Sequence, residues 1–183
     1  MRKLNVTEMN RMTVSEFRDA EKIPLIVILD NVRSMYNVGS IFRTCDAFRV
    51  EAVWLCGITG CPPHPEIHKT ALGAEESMEW KFFKDTKEAV SAVKEKGYKV
   101  YSIEQAEDSI KLGSDDALIS LNSGCAIVLG HEVKGVAQDV VDMSDGCIEI
   151  PQYGTKHSLN VASAGAIVIH ALSAPLCRQS LAE

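Results

Sequence analysis

No run of apolar residues in this chain approaches the roughly 20 that a helix needs to cross a bilayer. Its first 22 residues, MRKLNVTEMNRMTVSEFRDAEK, are polar throughout and lack the apolar core of a secretion signal. Cysteine stands at six positions, Cys45, Cys56, Cys61, Cys125, Cys147 and Cys177, but never as a Cys-x-x-Cys pair, so the common zinc spacings are missing. These absences predict a reduced, cytoplasmic protein with no metal and no membrane partner, whose cysteines are mostly small core residues. Two nucleotide fingerprints are missing too: no Gly-x-Gly-x-x-Gly follows an apolar run, and no phosphate-loop Gly-Lys-Ser/Thr signature occurs. Positive charge is also in short supply. The formal net charge of −6 argues against general adhesion to nucleic acid or anionic lipid.

What remains is 183 residues, 46% hydrophobic and 24% charged, the make-up of one ordinary globular domain. Residues 1–22 read as a short polar extension and residues 23–183 as the folded domain. Charge is unevenly spread: residues 1–50 carry eight Lys/Arg against six Asp/Glu, whereas the remaining 133 carry eleven against nineteen. A nucleic-acid partner would have to meet a local patch in the first third of the chain.

The run Pro24-Leu25-Ile26-Val27-Ile28-Leu29 is continuously apolar and β-branched, which suits a parallel strand covered on both faces. Further runs at 52–56, 98–103, 125–129 and 147–150 alternate with segments that can be helical. That alternation predicts an α/β fold, a mostly parallel sheet flanked by helices. Asp85 is expected to cap a helix through Lys96, with Gly97 as its left-handed stop. A second helix is expected from about Asn37 to Ala47, and a third from Ser158 to Ser173, stopping before Pro175. The third is apolar nearly all round, so it must be buried on several sides, with a second subunit as one candidate cover.

Three polar or glycine-bearing turns stand at the carboxyl ends of apolar strands, where open α/β sheets place their ligands. The first is LDNVRSMYNVGSIFRTCDAF, residues 29–48, where Asn37 can cap the helix and Arg43 follows between one and two turns later. Read alone, these are a plain cap and a solvated arginine. The second is IVLGHEVKGV, residues 127–136, where Gly130 ends a strand and exposes backbone polar groups that can read a flat heterocycle. Glu132 at that rim reads equally well as a surface acid. The third is IEIPQYGTKHSLNVASAGA, residues 148–166, with Ser158 as a candidate N-cap. Asn160 next to so apolar a helix calls for a buried partner.

The three segments, in this order and at these separations, resemble the signature motifs of the SpoU (TrmH-like) branch of the SPOUT class of RNA 2′-O-ribose methyltransferases. The resemblance runs from about Leu25 to Ala174, and Ser158-Leu159-Asn160 is its most specific part. It implies a C-terminal trefoil knot, a homodimer packed through that knot, tRNA or rRNA as substrate, and S-adenosyl-L-methionine as cofactor. Carried over by motif, the cofactor residues are Ile103, Glu104, Leu129, Gly130, His131, Ile150, Pro151, Ser158 and Leu159. The catalytic set is Arg43, Asn37, Glu132, Ser158 and Asn160, and the RNA contacts are Arg33, Arg43 and Lys69. Gln152, where the family commonly has methionine, and Met35, where it often has proline or a polar residue, depart from the pattern.

The resemblance assigns Arg43 to activating the ribose hydroxyl. A guanidinium keeps its proton in proteins, so the expectation is a cation that grips the adjacent phosphate and steadies developing alkoxide while phosphate or water takes the proton. Two other functions stay open on sequence alone. One is a non-catalytic RNA-binding or ribosome-associated module of the same fold; the other, disfavoured by the missing glycine fingerprint, is a nucleotide-dependent oxidoreductase.

Overall fold

The computed structural model describes residues 1–114 and 124–180, with residues 174–180 as backbone alone. The apolar runs become the strands β1 (Ile23–Asp30), β2 (Val50–Cys56), β4 (Lys99–Ile103), β6 (Cys125–Leu129) and β7 (Gly146–Glu149). Two further strands, β3 (Trp80–Phe83) and the short β5 (Ile110–Lys111), lie at the edges, where fewer apolar residues are needed and the sequence pattern is faint. All pair in parallel in the order β3-β2-β1-β6-β4-β7-β5. The α/β architecture read from the alternation of runs is the one found.

Residues 25–29 are fully buried because both faces of β1 are covered. Leu25, Val27 and Leu29 pack with α2 (Met35–Ala47), α3 (Pro65–Ala71) and α7 (Val161–Ser180). Ile26 and Ile28 face the opposite layer, built on α5 (Thr86–Glu95) and α6 (Gln138–Met143). Asp85 caps α5 through the Lys87 N–H, and Gly97 takes φ +80° just after it, as its sequence signals require. The end of the polar extension also docks. Helix α1 (Val14–Asp19) buries Phe17, and Arg18 reaches the Glu76 carbonyl in α4 (Ala74–Ser77).

Two expected helix starts are corrected. Helix α2 begins at Met35, not Asn37, because Ser34 Oγ accepts the Asn37 N–H and so takes the cap position. Helix α7 begins at Val161, not Ser158, because Asn160 Oδ1 accepts the N–H groups of Ala162 and Ser163. Nor does α7 stop before Pro175; it runs on to Ser180, since a long helix can absorb the one lost hydrogen bond as a kink.

Cys45, Cys56 and Cys125 are buried in the core, while Cys61 and Cys147 are half-buried and unbridged. Burial pushes the Cys56 and Cys125 thiols up to about 12, which makes them inert at neutral pH. The side chain of Cys177 lies outside the described residues. Among the described residues, no helix is long and apolar enough to cross a membrane.

Candidate active site

The carboxyl ends of β4, β6 and β7 open into a cleft of about 330 Å³. That is the small end of the range for cofactor-sized cavities, about 300–1,000 Å³. Its apolar walls include Ile103, Leu129, Ile150 and Leu159, and its polar rim includes Glu104 and Gln152. The chain enters it three times, after β4, after β6, and along the return from β7 to α7. Gln105 Nε2 ties the first of these to the third by donating to the His157 carbonyl.

The middle loop is pinned from several directions. Gly130 must be glycine, since a Cβ there would come within 2.1 Å of the Gly135 carbonyl carbon. His131 and Gly135 exchange backbone bonds of 3.0 and 2.8 Å to close the turn. Inside it, His131 Nδ1 accepts the N–H groups of Val133 and Lys134 at 3.0 and 3.3 Å. That nitrogen is therefore unprotonated, which leaves the imidazole proton on Nε2. Glu104 Oε1 accepts the Val136 N–H at 2.7 Å, and Asp30 Oδ2 at the end of β1 accepts the Ala137 N–H at 3.0 Å. Asp30 is only 2% exposed and also accepts from Thr86 Oγ1 and Asn31 Nδ2.

Glu132 faces the N-terminus of α2. Its Oε2 accepts the Arg33 N–H at 3.0 Å, and its Oε1 accepts the Ser34 N–H at 2.9 Å and Asn37 Nδ2 at 3.0 Å. An anion at a helix N-terminus meets unpaired N–H groups and the positive end of the helix dipole. Burial opposes ionisation of Glu132, but these donors win and hold its carboxyl down at about 2. Such a carboxylate is a poor proton acceptor and a strong fastener. Asn37 Oδ1 in turn accepts Asn160 Nδ2 at 3.1 Å, while Asn160 Oδ1 caps α7. One hydrogen-bonded chain, Glu132–Asn37–Asn160, thus joins the three sequence segments.

The predicted cofactor residues Ile103, Glu104, Leu129, Gly130, His131, Ile150, Ser158 and Leu159 all line the cleft. Pro151 does not; its neighbours Ile150 and Gln152 do. The backbone N–H groups of Ile150, Ser158 and Leu159 find no acceptor among the described residues, and Glu104 Oε2 has no donor there. Flat apolar walls with free amides and a carboxylate oxygen at the rim suit a purine nucleoside bearing hydroxyl or ammonium donors.

Arg43 is not in this cleft. With Lys69 it lines a second, shallower groove of about 510 Å³ between α2, α3 and α7. The reason is helical phase: six residues after Asn37, Arg43 lies about 240° further round α2. Gly39 lets α2 and α3 pack this closely, since a Cβ there would come within 2.2 Å of the Ile67 carbonyl and Thr70 Oγ1. The Arg33 side chain is exposed, and only its backbone joins the network. Asp30, Ser34 and Thr86 support the site without having been singled out in the sequence. An acid closing an otherwise apolar strand was the available signal for Asp30.

Among the described residues, one group close enough to share an ion is His68, Glu75 and Glu76. It belongs to α3 and α4 and not to the cleft, and His68 Nδ1 already pairs with Glu75 Oε1, which raises the imidazole pKa.

Comparison with known proteins gives one consistent picture. The sequence model described as the SpoU rRNA Methylase family matches residues 24–170. A protein of Thermus thermophilus named tRNA (guanosine(18)-2'-O)-methyltransferase is 31% identical over 163 residues, 89% of this chain and 81% of its own. Among solved structures, the Aquifex aeolicus TrmH/SpoU tRNA modifying enzyme superimposes with a TM-score of 0.79 over 91% of this chain and 84% of its own, at 22% identity. An AdoMet-bound rRNA methyltransferase from Sinorhizobium meliloti superimposes at 0.76 over 87% of this chain and 60% of its own, at 24% identity.

Proposed function

Because the chain belongs to the SpoU rRNA Methylase family, we propose that it transfers a methyl group from S-adenosyl-L-methionine to a ribose 2′-hydroxyl of RNA, with tRNA as the first substrate to test. The observation that carries the reading is the Glu132–Asn37–Asn160 chain, which ties the loop after β6 and the start of α7, both at a nucleoside-sized cleft, to the first turn of α2. When bound, the cofactor supplies an electrophilic methyl on a cationic sulfur.

The residues that would hold it are those of the cleft. Ile103, Leu129, Ile150 and Leu159 enclose the purine, the free amides of the return segment bind its polar edge, and Glu104 Oε2 takes hydroxyl or ammonium donors. Pro151 fixes the backbone between two lining residues. Asn37, Asn160, Ser158 and Glu132 position the reacting ribose, and Glu132 does so as a fixed anion and not as a base. Arg43 grips a phosphate of the RNA, with Lys69 and Arg33 on its neighbours. The 2′-hydroxyl would give its proton to that phosphate or to water as its oxygen takes the methyl carbon, the carbon–sulfur bond breaking with its electron pair left on sulfur as a neutral thioether.

Arg43 and the cleft must then meet, and a second copy of the chain supplies the route. Helix α7 leaves Ile167 41% exposed on a helix whose composition is apolar nearly all round. Ala166, one residue before it, borders the Arg43 groove. We read the active form as a homodimer packed through α7 and the knot that the family implies, with Arg43 of one protomer serving the cleft of the other.

Calorimetry with S-adenosylmethionine, followed by radiolabelled methyl transfer to unfractionated tRNA and to rRNA, tests the activity. Nuclease-resistant 2′-O-methyl dinucleotides are the expected product. Cofactor binding with no RNA methylated by the wild-type chain favours the non-catalytic module instead. Mixing inactive Arg43→Ala and Glu132→Ala chains tests the dimer: shared sites regain activity in the mixture, and self-contained ones do not.

A further inference from the structure

Tyr36 is an aromatic side chain outside the two core clusters. It stands on the first turn of α2, beside Asn37, and 45% of it is exposed. The backbone that carries it is fixed, because the Tyr36 carbonyl accepts both Ser40 Oγ at 2.8 Å and Thr70 Oγ1 at 2.9 Å. Lys69 Nζ lies 6.0 Å from the ring centroid, at the outer limit of a cation–π contact. The same Ser40, Thr70 and Lys69 line the Arg43 groove, and among the described residues no carboxylate lines it. A chain whose net charge is −6 therefore gathers two cations and several hydroxyls in one groove, and one of those cations, Lys69, stands beside the exposed Tyr36 ring.

Cations tracking a backbone, with an aromatic face at the end of the track, make a platform for an unpaired nucleotide. We propose that the Tyr36 ring stacks on a nucleobase of the substrate RNA next to the ribose that is methylated, while Lys69 and Arg43 hold the flanking phosphates. The inference rests on the RNA-methyltransferase reading and adds a chemical requirement to it: the base beside the target must be unstacked, as in a loop. The ring plane is the working part. The phenol hydroxyl is not needed, since stacking uses the π-face that phenylalanine also has.

The test uses the full chain and its Tyr36→Ala and Tyr36→Phe variants, with a labelled single-stranded oligoadenylate and unfractionated tRNA as probes. Stacking of one base predicts that Tyr36→Ala weakens oligoadenylate binding, and raises KM for tRNA, by about 5- to 150-fold. Affinity for S-adenosylmethionine by calorimetry should stay within about twofold, and Tyr36→Phe should bind oligoadenylate within about twofold of wild type. Equal affinity of Tyr36→Ala and wild type overturns the proposal. So does a Tyr36→Phe variant as weak as Tyr36→Ala, which would assign the role to the hydroxyl. A Tyr36→Ala chain that changes its mass in sedimentation also overturns it, since Tyr36 would then be a subunit contact. Failure of the underlying reading shows instead in the wild-type arm, as a chain that methylates no RNA.

Discussion

Replacing Glu132 by glutamine removes one charge and almost no volume, so its cost can be worked from three hydrogen bonds. Oε1 accepts from the Ser34 N–H and Asn37 Nδ2, and Oε2 from the Arg33 N–H. Glutamine has one oxygen; when it serves the first two donors, its own N–H₂ faces the Arg33 N–H, donor against donor. Bonds to a charged group contribute about 1.5–3 kcal/mol and neutral ones about 0.5–1.5, so one bond lost and two demoted cost roughly 3–5 kcal/mol in a dry site. Glu132 is only half-buried, and water replacing part of that loss brings the figure to about 2 kcal/mol. A domain of this size loses about 2–4 °C per kcal/mol, which predicts a fall in Tm of about 4–8 °C at pH 7. The pH dependence has a definite sign. The carboxyl is held at about 2 in the fold, against an ordinary value of 4.5. Its stabilisation is thus complete above about pH 4.5 and fades as pH falls toward about 2. Scanning calorimetry of wild type and Glu132→Gln from pH 7 to about pH 3.5 should show the gap between them narrowing. A gap below about 1 °C at pH 7, or one that stays constant through the series, refutes the fastener role.

Asp30→Ala should destabilise by about 3–5 kcal/mol in urea unfolding, because Thr86 Oγ1, Asn31 Nδ2 and the Ala137 N–H lose a nearly inaccessible acceptor. Hydrogen exchange at the Ala137 amide should speed up with it. Gly39→Ala should cost about 1–3 kcal/mol, read as a lower urea midpoint, since its Cβ overlaps the Ile67 carbonyl and Thr70 Oγ1 unless α3 moves away from α2. Asn160→Asp keeps the oxygen that caps α7 but loses the donor to Asn37 Oδ1. Its Tm should stay within about 2 °C of wild type while methyl transfer falls at least about tenfold, the equivalent of ~1.4 kcal/mol of lost alignment. Asn160→Ala should lose both, with about 1 kcal/mol from the missing cap.

The sequence alone determined what depends on near neighbours. A run such as Leu25–Leu29, apolar at every position and rich in β-branched residues, suits a strand covered on both faces, and Asp85 and Gly97 mark the ends of α5 by capping chemistry that acts within one turn. It also placed the three motif segments at strand ends, where parallel sheets open. The tertiary structure decided which of those ends meet. Glu132 and Asn37 are 95 residues apart and Asn160 and Asn37 are 123 apart, so their contact depends on β6 lying between β1 and β4 and on the return of the chain into α7. The caps at Ser34 and Asn160, in place of Asn37 and Ser158, follow from the same long-range pull, because the Asn37 side chain is taken by Glu132 and Asn160. Whether Arg43 shares the cleft was likewise invisible to motif order, which ignores the direction a helical residue points. Local propensity is a property of a few successive residues; a site assembled across the sheet is a property of strand order, and strand order follows from how the whole apolar surface is buried.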